Sequence, residues 1–139
     1  RVRGAIKFKL LAVLCIGETL EERESGNTFS VLEKQITKGL SQVTTEEMQQ
    51  VVIAYEPVWA IGTGKTATKE QAQEAHAFIR RLIEKLFEKG VAEELRILYG
   101  GSVKPVNIDE LMAQADIDGA LVGGAALDAE SFGRIINFK

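Results

Sequence analysis

The chain has 139 residues, 45% of them apolar and 27% charged, which suits one globular domain with a real core and excludes a disordered segment. A net charge of −3 without a long Lys/Arg run argues against nucleic acid, whose phosphate backbone needs a clustered basic face. The single cysteine, Cys15, leaves no internal disulfide and fits a reducing, cytoplasmic setting, and no apolar run reaches the ~18 residues of a membrane span.

In chain order, Arg1 to Lys9 reads as a basic, solvated helix end. Because this helical pattern starts without a methionine, a preceding segment is expected. Leu10 to Ile16 is a continuous apolar run of strand length, and Cys15 within it reads as a small core residue. The acidic cluster Glu21-Glu22-Arg23-Glu24 reads as a solvated turn or helix. A helix carrying Val31, Ile36 and Leu40 follows, with Ser30 and Glu33 spaced as a cap.

Val51 to Tyr55 is the second apolar run. The longest helix opens at Thr68 with Gln71 three residues on. It carries Ala72, Ala75, Ile79, Leu82, Ile83 and Leu86 on one face, and Gly90 is expected to stop it. Arg96 to Tyr99 makes a third strand. Asn107 with Glu110 opens a helix bearing Leu111 and Met112, Ala120 to Val122 makes the fourth strand, and Ser131 to Asn137 the last helix.

Strand and helix thus alternate four times, after a helix remnant. Continuous apolar runs suit strands covered on both faces, and the alternation implies right-handed crossovers and a parallel sheet. Residues 1–139 read as a single domain. Both an open α/β sheet and a segment of a closed barrel fit this order.

The small and reactive residues gather where the strands end: Gly17-Glu18-Thr19, Glu56-Pro57, Gly100-Gly101-Ser102-Val103 and Gly123-Gly124-Ala125. In α/β folds that edge holds the ligand. The turns at 100–102 and 123–125, each expected to enter a helix or helical turn, have backbone N–H groups that an anion can approach closely. A glycine pair also suits a plain tight βα turn, and both readings stay open here.

Gly62-Thr63-Gly64-Lys65-Thr66 resembles a nucleotide-binding loop at a glance. That motif needs a glycine five residues before Gly64, and the position holds Trp59. Pro57 to Ala67 instead forms a loop stiff at its start and glycine-rich in the middle, which suits a lid moving as a unit. Closure over Glu56 would strip water from its carboxylate, although a strand-end glutamate also suits a surface or ion-paired place. His76, the only histidine, falls in mid-helix and reads as structural. One His and one Cys cannot make a zinc site, so no metal is expected.

Cys15-Ile16-Gly17-Glu18-Thr19-Leu20-Glu21-Glu22-Arg23, Ala54-Tyr55-Glu56-Pro57-Val58-Trp59-Ala60-Ile61-Gly62-Thr63-Gly64-Lys65, Tyr99-Gly100-Gly101-Ser102-Val103 and Leu121-Val122-Gly123-Gly124-Ala125 together resemble the triosephosphate isomerase family, in order and spacing. The resemblance implies four consecutive βα units forming the C-terminal half of a TIM (β/α)8 barrel. It also implies cofactor-free interconversion of dihydroxyacetone phosphate and glyceraldehyde 3-phosphate through an enediolate. On this resemblance Glu56 is the base, and the backbone N–H groups of Gly62, Ser102, Gly123 and Gly124 hold the substrate phosphate. The lid comprises Pro57, Val58, Trp59, Ala60, Ile61, Gly62, Thr63, Gly64, Lys65, Thr66 and Ala67, and Glu18, Tyr99 and Ser102 hold it open or closed.

The family's partners carry over as a small phosphorylated triose and a second subunit of a homodimer, with no nucleic acid and no membrane. A whole barrel of this kind takes about 250 residues, and the family's electrophilic histidine and active-site lysine have no counterpart here. The isolated half is therefore expected to be inactive or nearly so, and to self-associate through its open edges. The competing expectation is a phosphate-binding or self-associating half-barrel without catalysis. Lys7 to Leu11 replaces the family's usual glycine turn, and Ala67 stands where a proline is common.

Overall fold

A computed structural model describes residues 1–63 and 65–139. Four parallel strands form one sheet in the order β1 (Ala12–Ile16), β2 (Val51–Tyr55), β3 (Ile97–Tyr99) and β4 (Gly119–Ala120). The register runs Ile16 to Tyr55, Tyr55 to Tyr99 and Tyr99 to Ala120 at their C-terminal ends. Every strand end therefore meets at one edge of the sheet, and the fold is the expected α/β fragment of a barrel.

Seven α-helices connect and flank these strands among the described residues: α1 (Val2–Lys7), α2 (Leu20–Glu24), α3 (Thr28–Gly39), α4 (Lys69–Leu86), α5 (Lys89–Glu94), α6 (Ile108–Met112) and α7 (Ala129–Ile136). The core lies between the sheet and helices α3 and α4. Ile16, Ile53, Tyr55, Ile97 and Tyr99 meet Leu32, Ile36, Ala75, Ile79 and Ile83 there. Alternate strand residues point away from these helices. On that second face Val13 is 46% exposed and Cys15 is exposed. Val52 and Ala54 in the central strand stay buried.

This corrects the expectation that apolar runs mark strands covered on both faces. It holds for β2, buried throughout, and fails for the first apolar run, where Leu10 and Leu11 before β1 and Val13 within it lie in the open. Cys15 is likewise no core residue. On the face away from α3 and α4, β1, an edge strand, has a neighbour on one side only, where β2 has one on each.

Several element ends also move. Ser30 is not a cap: α3 begins at Thr28, and the Ser30 hydroxyl donates back to the Asn27 carbonyl. Thr68 and Gln71 do form a capping box at the start of α4. That helix ends at Leu86 rather than Gly90, which lies inside α5. The last helix, α7, begins at Ala129 rather than Ser131 and is capped by Asp128, which accepts the Ser131 N–H at 2.8 Å. After α1, Lys9 takes φ 57° while Lys9 N–H donates to Ile6 O and Leu10 N–H to Ala5 O. This is the helix-ending turn that glycine usually makes, formed here by a lysine.

Arg80 fastens α4 to the starts of β3 and β4. Its guanidinium donates to Asp116 Oδ1 at 2.8 Å, to Asp118 Oδ2 at 2.7 Å and to the Ala92 carbonyl at 2.6 Å. Asp118 in turn accepts the Ile97 N–H at the start of β3. No described helix is long and apolar enough to cross a membrane.

Candidate active site

The end of β1 and the end of β2 touch through glycine. A Cβ at Gly17 would run into the Glu56 backbone carbonyl, so only a residue without a side chain allows this approach. The Glu56 N–H donates to the Ile16 carbonyl at 2.7 Å. Gln35 clamps Gly17 from the other side, accepting its N–H and donating to its carbonyl, both at 2.9 Å. The backbone of Glu56 is thereby fixed at the strand edge.

Its side chain lies over the next glycine. A Cβ at Gly100 would meet Glu56 Cγ at 2.5 Å, so Gly100 leaves the room the carboxylate occupies. The Cys15 thiol faces the same carboxylate, and its pKa is raised first by burial and then by the Glu56 charge.

Behind this edge sits Glu18, fully buried. Arg23 donates to its Oε1 at 2.8 Å, the Tyr55 hydroxyl to both oxygens at 3.1 Å, and Trp59 Nε1 to Oε1 at 3.0 Å. Burial, then the Glu18 charge, pushes the Tyr55 phenol far above its ordinary pKa, so it stays a donor. The Arg23 guanidinium also lies 5.2 Å from the centre of the Trp59 ring, within cation–π reach. A buried carboxylate with these charged and neutral donors is satisfied rather than stranded.

Arg23 is the residue that sequence reading missed, because it was grouped with a solvated acidic cluster. The available signal was its spacing. The Thr19–Glu22 capping box starts α2 directly after Glu18, and one helical turn brings position 23 back over the strand end.

The expected lid starts from this anchor. Pro57 is buried, Val58–Ala60 form a 3₁₀ turn, and the Val58 N–H donates to the Glu18 carbonyl at 3.0 Å. Ile61, Gly62, Thr63, Lys65 and Thr66 are exposed, and Gly62 takes φ 67°. Thr63 Oγ1 donates to the Trp59 carbonyl at 2.6 Å. Gly64 lies outside the described residues. Ala67 is buried again, just before the Thr68 cap. The loop is pinned at both ends and solvated between them.

Opposite it stand the two glycine turns. The Gly100 N–H donates to the Tyr55 carbonyl at 2.8 Å and the Leu121 N–H to the Tyr99 carbonyl at 2.9 Å, which extends the pairing one residue past each strand. Gly123 precedes a 3₁₀ turn over Gly124–Leu127, as expected. The turn at Gly100–Ser102 does not enter a helix directly, which corrects the reading. Positions 103–107 intervene, and Asn107 folds back to accept the Lys104 N–H and donate to the Ser102 carbonyl. Ser102 therefore has no helix terminus behind it.

Glu56, Gly62, Ser102, Gly123 and Gly124 all line one cleft of about 350 Å³, with Ala60 and Ile61 from the lid side. Lys104, not singled out from sequence, adds an exposed cation to its wall. Glu18 and Tyr99 lie behind the cleft, not in its lining. His76 is buried on the helix side of the sheet. Among the described residues no three His, Cys, Asp or Glu side chains cluster as a metal site.

The triosephosphate isomerase family profile matches residues 1–139. A triosephosphate isomerase of Syntrophotalea carbinolica is 60% identical over 139 residues, covering 100% of this chain and 55% of that protein. One of Geotalea uraniireducens is 62% identical over 136 residues, covering 98% and 54%. One of Endomicrobium trichonymphae is 53% identical over 139 residues, covering 100% and 55%. The chain spans about half the length of these relatives.

Proposed function

The chain belongs to the triosephosphate isomerase family, and from that premise we propose that its cleft serves the proton transfer that interconverts dihydroxyacetone phosphate and glyceraldehyde 3-phosphate. The observation that carries this reading is the shared cleft: a strand-end carboxylate, a doubly anchored loop and two N–H-bearing glycine turns face one space. In the proposal Glu56 removes a proton next to the substrate carbonyl and returns it to the neighbouring carbon. The backbone N–H groups of Gly62, Ser102, Gly123 and Gly124 hold the phosphate. The lid from Pro57 to Ala67 excludes water, with Glu18 and Tyr99 setting its ends. The roles follow the family's known chemistry, and the geometry is compatible with them.

Proton abstraction beside a carbonyl also needs an electrophile for the developing oxyanion. His76 does not reach the cleft, and Lys104 stands exposed on its wall. Each missing preorganised donor costs about 10²–10³-fold in rate, so residues 1–139 alone are proposed to turn over little or no substrate.

The comparisons give a share of length and do not bear out the narrower expectation of the C-terminal half. That placement, the single-domain reading, the family homodimer and a cytoplasmic setting (which rests on the lone Cys15) remain proposals. The test is complementation. Residues 1–139 are refolded with either the N-terminal or the C-terminal remaining portion of the Syntrophotalea carbinolica relative, and isomerase activity is assayed. Activity restored by the N-terminal portion, and abolished by Glu56→Gln, is the expected result. Restoration by the C-terminal portion would reverse the placement, and activity indifferent to Glu56→Gln would remove its role.

A second reading, a phosphate-binding or self-associating half-barrel without catalysis, is favoured by one observation. The sheet has two unpaired edges and an uncovered face bearing Val13 and Cys15.

A further inference from the structure

His76 is fully buried in the middle of α4 and has no place in the proposed reaction. Its Nδ1 lies 3.2 Å from the Asp116 carbonyl oxygen. A carbonyl only accepts, so Nδ1 must carry the proton. Burial lowers the imidazole pKa to about 4, which leaves the ring neutral at pH 7 and Nε2 a bare acceptor. That acceptor is buried and has no hydrogen-bond partner among the described residues.

The complementary group lies in the same cluster. The Tyr99 hydroxyl is also buried, and its hydrogen has no acceptor among the described residues. The His76 and Tyr99 ring centres are 6.3 Å apart at 40°, and Tyr55 packs against both, at 5.8 Å and 6.4 Å. One cluster of three packed rings thus holds both a bare acceptor and an uncommitted donor. Buried polar groups in native proteins find partners, including ordered water.

The hydroxyl's surroundings give this pairing a purpose. It lies under the Gly101 turn, where a Cβ would strike it. The backbone of Ala67, at the trailing end of the lid, acts on it as well, drawing the phenol pKa down against the burial that raises it to about 12. A phenol is a free rotor. If its hydrogen turned toward the Ala67 N–H, two donors would oppose each other. Committing that hydrogen elsewhere leaves the oxygen lone pairs for the lid.

We propose that His76 is a positioning residue: one bridging water accepts from the Tyr99 hydroxyl and donates to His76 Nε2, turning the phenol oxygen toward the Ala67 N–H. Asp116 holds the imidazole in the required tautomer. It is itself fastened by Gln73, which accepts its N–H at 3.1 Å, and by Arg80. The meaning of this for lid closure rests on the functional reading above, but the hydrogen-bond chain does not.

Because the chain has one histidine, ¹⁵N NMR of its imidazole reads His76 alone. At pH 7 the proton is expected on Nδ1. Tyr99→Phe is expected to shift the Nε2 resonance and leave Nδ1 in place. The Ala67 amide proton should shift in Tyr99→Phe and in His76→Leu by similar amounts, and stay near its wild-type position in His76→Gln, which keeps an acceptor. A proton on Nε2, or an Nε2 resonance that ignores Tyr99→Phe, overturns the proposal. Should His76→Leu fail to fold, the wild-type and Tyr99→Phe imidazole spectra decide alone. None of these signals depends on catalysis, so loss of the isomerase reading would leave them standing.

Discussion

Glu18 shows what a single residue does for the site. It is a charge with no solvent contact, held by Arg23, Tyr55 and Trp59, and three donors aim at the space it fills. Removing one partner of a buried ion pair costs about 3–5 kcal/mol, because the other charge is left uncompensated. Glu18→Ala is expected to lose about that much stability in urea unfolding. It should also change the fluorescence of Trp59, the only tryptophan, while Glu18→Gln loses less. His76 sets a pH limit. Its folded pKa is about 4, lowered mainly by burial, against an unfolded value of about 6.5. Between these values the unfolded chain binds the extra proton, so stability falls as pH drops from about 6.5 to about 4, by roughly 3 kcal/mol. Unfolding free energies measured across that range in wild type and His76→Gln check this. The slope of the variant should be shallower, with the carboxylate contribution common to both. Glu56 was legible from sequence because an acid between an apolar strand and a proline stands out. Arg23 was not, because its role depends on α2 turning it back over the strand end.

At the scale of elements, α4 ties the lid to the sheet. Its cap residue Thr68 follows the trailing lid end at Ala67 and pairs with Gln71, and Arg80 fixes its middle to Asp116 and Asp118. Losing a Thr cap typically costs about 1 kcal/mol. Thr68→Ala is therefore expected to lower stability by about that amount, measured by thermal unfolding. It should also speed amide exchange at Gln71, whose N–H the cap accepts. The Thr68–Gln71 box was visible in sequence because both partners are local. The Ser30–Glu33 spacing looked equally good and misled, since α3 starts earlier, at Thr28. The end of α4 at Leu86 was not visible either: Gly90 fits inside α5, where tertiary packing outweighs its modest helix penalty.

At the scale of the molecule, the accessible surface is 8068 Å², against roughly 7,100 Å² for a compact chain of this mass. The excess of roughly 950 Å² is close to the ~800 Å² that each partner buries in a standard interface. Sedimentation velocity over a concentration series is expected to show residues 1–139 associating. Val13→Asp, placed on the uncovered face, should weaken association without unfolding the chain. A strictly monomeric wild type would contradict the self-association reading. The alternation of elements, the parallel sheet, and the gathering of Glu56 and the glycine turns at one edge are all written in residue order. Apolar runs, turn residues and strand–helix order are local or near-local signals. Which sheet face is covered, the exposure of Cys15 and Val13, and the convergence of Arg23, Tyr55 and Trp59 on Glu18 emerge from packing. Those facts depend on contacts that reach 37 and 41 residues along the chain and on the helices packing on one side, which no local pattern records.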